Sequence, residues 1–100
     1  MIIIRDLTDV HNLKLRIKQG DVVEIYNKHY DISKYYWVYD GILCSSYGDE
    51  DCPDNGFDYC YDTMFFRDIR MALLNPERYF IKLLEESWSQ PVVLEENAYI

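Results

Sequence analysis

No apolar run in this 100-residue chain approaches the roughly 20 residues a bilayer-spanning helix needs. Glycine is scarce, with four residues scattered along the chain, so no glycine-rich loop is available to cradle a phosphate. Cysteine is odd in number. Cys44, Cys52 and Cys60 stand at C-x7-C-x7-C, a spacing that fits neither a compact zinc knuckle nor a fully paired disulfide framework. The opening Met-Ile-Ile-Ile is followed at once by Arg5 and Asp6, which does not fit a secretory leader. A cytoplasmic protein with reduced thiols is therefore expected, a single disulfide with one free thiol being the lesser alternative. The most telling lack is local: residues 40–66 contain no Lys, Arg or His.

What fills that gap is acid. Asp40, Asp49, Glu50, Asp51, Asp54, Asp58 and Asp62 all lie between positions 40 and 62. The same stretch holds all three cysteines, three of the four glycines, and Tyr47, Tyr59 and Tyr61. Residues 1–39 carry six basic and five acidic groups, so most of the net charge of −8 comes from this one region, with a second acidic excess after residue 84. So local an imbalance sets up a directional field. It disfavours direct contact with nucleic acid, whose phosphates it repels, and suits a basic partner, a cation or water. Ten tyrosines in one chain are more than a small core accommodates, because each buried hydroxyl needs a partner. Many should sit at the core's edge or on the surface, where they suit recognition.

At 49% hydrophobic residues the chain should fold, and its length bounds it to one domain spanning residues 1–100. Ile2-Ile3-Ile4 reads as a short buried strand. Over residues 8–19 a helix competes with a strand. Thr8 as N-cap, basic residues in the last turns and Gly20 just past the end favour the helix, with Leu7, Val10, Leu13 and Ile17 on one face. Asp21–Tyr30 and Lys34–Cys44 read as strands of an antiparallel hairpin turning at His29–Ser33. In the second strand Tyr35, Trp37 and Tyr39 share one face, Tyr36 and Val38 the other. Asp40-Gly41 fits a bulge or turn within it. Ser45–Tyr61 is expected to be a long irregular acidic loop. Asp62 is the expected N-cap of a helix burying Met64 or Phe65, Ile69, Ala72 and Leu73. Asn75-Pro76 is expected to cap a further helix that buries Phe80, Leu83, Leu84 and Trp88. Val92–Leu94 closes the chain as a strand. The order β-α-β-β-α-α-β defines an α+β fold, a small and mostly antiparallel sheet backed by helices on one face.

Chemistry-bearing constellations are weak. A calcium loop aligned on Gly56 places Asp51, Asn55 and Asp62 as ligands, but Pro53 falls at a ligand position and the last residue is Asp rather than Glu. Zinc would have to combine the three cysteines with His11 or His29. A Cys–His nucleophile pair is available in composition only, and an acidic neighbourhood raises a thiol's pKa. The carboxylates of Asp49, Glu50 and Asp51 sit on a loop tip, whereas general acid–base work needs a held geometry. No cofactor, no metal site and no enzymatic activity are expected.

Binding is the remaining reading. Tyr47, Asp49, Glu50, Asp51, Asp54, Phe57, Asp58 and Tyr59 form the candidate contact set, the carboxylates supplying charge and the rings supplying area. The carboxylates Asp49-Glu50-Asp51, Asp54, Asp58 and Asp62, set among Tyr47, Tyr59 and Tyr61, give the chain a resemblance to small acidic phage anti-defence proteins, the anti-CRISPR and anti-restriction inhibitors. The resemblance implies a non-enzymatic inhibitor that occupies the Lys/Arg groove of a basic nucleic-acid-handling protein, with no direct contact to nucleic acid or membrane. An immunity-type protein that neutralises a nuclease toxin has the same appearance. A homo-oligomer joined through the Tyr35–Tyr39 strand and a small metal-binding protein are the alternatives.

Overall fold

A computed structural model describes residues 1–48, 58–98 and 100. Among these, a seven-stranded mixed sheet has the order β1-β7-β6-β2-β3-β4-β5. The strands are β1 (Ile2–Ile4), β2 (Val22–Asn27), β3 (Ile32–Tyr39), β4 (Ile42–Gly48), β5 (Asp58–Tyr59), β6 (Tyr79–Leu84) and β7 (Ser89–Leu94), and the helices are α1 (Leu7–Lys18) and α2 (Asp62–Leu74). Only the β1–β7 pair is parallel; every other neighbouring pair is antiparallel. The expected α+β class and mostly antiparallel sheet are therefore observed, with three differences in element order, the added edge strand β5 among them.

The first difference lies in β6. Residues 76–86, expected as a helix, form a turn and then an interior strand between β2 and β7. Asn75 and Pro76 mark a helix start and a turn equally well, and here the Arg78 and Tyr79 amides donate to the Asn75 carbonyl. The apolar run behind them is short and fits either period. As an interior strand it gains a backbone ladder on both sides. Ile81 and Leu83 are buried, whereas Phe80 and Leu84 are half-buried and Trp88 is 58% exposed, against the burial expected of a helix. The second difference is at Asp40-Gly41. The expected long strand is two strands joined there, with φ of +52° and +74° at the two residues. That is the two-residue hairpin geometry that Asp-Gly favours.

Elsewhere the local signals hold. The 8–19 segment is a helix, although Asp6 rather than Thr8 caps it: the Asp6 carboxylate accepts from the Asp9 amide at 3.1 Å. Gly20 follows the helix with φ +108°, the left-handed region that glycine enters without strain. In α2, Tyr61 occupies the cap position and Asp62 begins the helix, where its charge still complements the helix dipole.

One core joins both helices to one face of the sheet. Val10, Leu13 and Ile17 of α1 and Phe65, Ile69, Ala72 and Leu73 of α2 cluster with Ile4, Val23, Ile25, Tyr36, Leu43, Ile81, Leu83 and Val92. The cross-strand pairs Val23–Tyr36, Val23–Leu83 and Ile81–Val92 confirm that these strand residues share a face. Leu7, expected on the buried stripe, is 55% exposed.

Candidate partner-binding surface

Strand alternation puts every second residue on the sheet's other face. There the register builds three rows. Lys82, Glu24, Tyr35 and Ser46 pair in sequence across β6, β2, β3 and β4, with Pro91 of β7 beside Lys82. Phe80, Tyr26 and Ser33 run parallel on one side. Trp37, Cys44 and Tyr59 run on the other, with Val22 and Leu84 farther along the sheet. None of these residues belongs to the core cluster. Neither helix packs over them; Tyr26, Tyr35, Trp37 and Phe80 are half-buried there, whereas Glu24, Ser33 and Cys44 are buried. Tyr39 at 65%, Ile42 at 44% and Tyr59 at 68% exposure extend the face to the sheet's margin. Contiguous apolar surface of this kind marks an interaction site more often than plain solvated surface.

The acidic stretch joins this surface at its edge. Ser45–Gly48, expected to be irregular, instead completes β4, and Asp58–Tyr59 adds the edge strand β5. Both ends of the stretch expected to be irregular are therefore strand. Asp49, Glu50, Asp51, Asp54 and Phe57 lie outside the described residues, as do Asn55, Pro53 and Cys52. Of the expected contact set, Tyr47, Asp58 and Tyr59 have described positions. Tyr59 pairs with Cys44 and shares the open face. Tyr47 pairs with Lys34 and stands on the helix side, beside a recess of about 110 Å³ lined also by Asp68 and Met71. The two tyrosines thus flank the β4–β5 edge from opposite faces. Sequence reasoning missed Phe80 and Leu84 on this face because it assigned β6 to a helix; the alternation from Tyr79 to Leu84 was the signal that pointed to them, while Tyr26 lay on a strand read as such and was not singled out.

The titratable groups on the helix side are structural. Asp68 of α2 accepts from Lys34 at 2.8 Å and from the hydroxyl of fully buried Tyr36. Burial pushes the Asp68 carboxyl up, but the hydrogen bonds from Lys34 and Tyr36 and the charges of Lys34 and Arg67 outweigh it, so its pKa is lowered. Burial, then the hydrogen bond to Asp68, raises the Tyr36 phenol well above its usual range. Burial raises the Cys60 thiol, partly opposed by Ser45 and Lys34, which keeps it a thiol rather than a reactive thiolate. Cys44 and Cys60 are free. His11 packs on Phe66 at 4.5 Å and His29 on Tyr30 at 4.9 Å between ring centroids. Among the described residues no group of three or more His, Cys, Asp or Glu side chains is placed to hold a metal ion, and no described helix is long and apolar enough to cross a membrane.

β3 is hydrogen-bonded to β2 on one side and β4 on the other. Self-association through Tyr35–Tyr39 would therefore have to be face to face, not by strand addition. No protein-family model matches the chain, and no curated protein or solved structure matches it. The molecule is thus defined at the level of its architecture: an α+β fold with one face of the sheet covered by both helices and, among the described residues, an aromatic face on the other side.

Proposed function

We propose that this chain is a non-enzymatic acidic binding protein that occupies the Lys/Arg groove of a nucleic-acid-handling protein and so inhibits it. The partner class includes nucleases and restriction- or CRISPR-type complexes. The observation that carries the reading is the coincidence of two surfaces. The aromatic face that neither helix covers, with Tyr35, Trp37, Tyr39 and Tyr59, adjoins along the chain the segment that concentrates seven carboxylates without a basic residue. Carboxylates on this segment offer a basic groove the charge that phosphates would, and so speed the encounter with it. Tyrosine and tryptophan rings supply anchors of the kind that dominate binding energy. Tyr47 borders the same edge from the helix side.

The charge component is tested by Asp49→Lys combined with Asp51→Lys. This variant should bind the partner more weakly and with a flatter dependence on salt, because fewer opposed charges are screened. Unchanged affinity and unchanged salt slope would remove the acidic segment from the interface.

A further inference from the structure

The charges on the two faces of the sheet are balanced differently. Among described acidic residues that are not exposed, Asp9, Asp21, Asp68 and Glu85 are each ion-paired within the chain, to Arg5, Arg16, Lys34 and Arg16. Glu24 is the exception. It is 5% exposed and lies in the central row of the open face. Its Oε2 accepts from the Ser33 hydroxyl at 2.6 Å and from the Tyr35 hydroxyl at 3.3 Å, and both donors are neutral. Neither reaches Oε1. Lys82 is its direct cross-strand neighbour, yet the two form no ion pair; the Lys82 ammonium instead lies 5.4 Å from the centre of the Phe80 ring. A carboxylate this little exposed, with no counter-charge among the described residues, gains from a cation that completes it.

We infer that Glu24 is the specificity anchor of the open face and receives an arginine side chain of the partner protein. This rests on the proposed function and adds a residue to it. The donors on Oε2 hold the carboxylate in place before binding, which lowers the cost of recognition. Arginine fits better than lysine, because a planar guanidinium can stack on the flanking Tyr26, Tyr35 or Phe80 rings while donating to the carboxylate. Arginine is also what nucleic-acid grooves present to phosphates. The acidic segment supplies long-range attraction, and Glu24 supplies choice at the centre of the contact.

The test uses the full chain with two probes, hexa-arginine and hexalysine peptides, titrated at matched salt. The wild type should prefer hexa-arginine by about tenfold, the scale of one hydrogen bond to a charged group. Glu24→Gln keeps an acceptor for Ser33 and Tyr35 and should bring that ratio close to one. Asp49→Lys with Asp51→Lys should weaken both peptides alike and keep the ratio. In amide spectra of the wild type, hexa-arginine should shift Glu24, Tyr35 and Lys82, a readout that needs no variant. Equal binding of both peptides by the wild type, or a preference that survives Glu24→Gln, overturns the anchor while leaving the acidic reading intact. Binding of neither peptide overturns both. Methylguanidinium binding as tightly as the peptide would overturn protein docking in favour of a small cation.

Discussion

The two faces of this sheet are built from similar residues and bonded differently. Tyr36 and Tyr35 are neighbours in β3, and each donates its hydroxyl to a carboxylate. Tyr36 is fully buried, its ring edge-on to Phe65 at 5.2 Å and its partner Asp68 neutralised by Lys34. Tyr35 is half-exposed, and its partner Glu24 has no cation from the described chain. On the helix side Asp68 meets both a cation and a hydroxyl, and this pairing fastens α2 to β3. On the other side Glu24 meets hydroxyls alone. The ion-paired carboxylate serves the fold, and the one without a cation is the one the proposed recognition would use.

The comparison breaks first at Asp68. Replacing it with Asn leaves Lys34 buried without its counter-ion and should cost about 3 kcal/mol in urea unfolding. Glu24→Gln, which keeps the hydrogen bonds and removes an unpaired charge, should cost within about 1 kcal/mol. Equal costs at the two sites would erase the distinction. The same pair separates by pH. Because the Asp68 pKa is lowered in the folded protein, its contribution is present above the ordinary carboxylate value near 4 and is lost as pH falls through the folded value. Stability measured across the acid range should therefore fall less steeply in Asp68→Asn than in the wild type.

Smaller effects sharpen the picture at the margin of the open face. Gly41 has a positive φ with nothing within 4 Å of where a Cβ would stand, so Gly41→Ala should cost about 1 kcal/mol from backbone strain alone. Tyr39, 65% exposed beside that turn, should be replaceable by Ala with a change within about 0.5 kcal/mol in stability. The same substitution should weaken partner binding by more than it weakens the fold. Thermal unfolding and an affinity titration on one preparation make that contrast visible.

Much of this architecture was legible in the chain. Gly20 behind a basic last turn marked the end of α1, and Asp62 with the Phe65–Ile69–Ala72–Leu73 stripe marked α2. The faces of β3 followed from alternation, which predicted that Tyr36 and Val38 would part from Tyr35, Trp37 and Tyr39. What misled was chemistry that serves two structures. Asn-Pro starts a helix or makes a turn, and Phe80–Leu84 carries apolar residues at both periods, so only the ladders from β2 and β7 decide for a strand. Asp-Gly inside an apolar run fitted a bulge as well as a hairpin turn. Glu24 gave no local sign at all. It reads as one polar position in an alternating strand, and its burial depends on Ser33, Tyr35 and Lys82, which reach it only through sheet register.

The proposed function requires that the aromatic face and the acidic segment together take the place of nucleic acid on a basic partner. The most direct measurement is capture on the immobilised protein, followed by elution with duplex DNA and, separately, with high salt. The account predicts that captured nucleic-acid-binding proteins are released by both eluents, and that the Asp49→Lys, Asp51→Lys variant retains far less of them. Captured proteins that duplex DNA cannot displace, or retention unchanged in the variant, would contradict it.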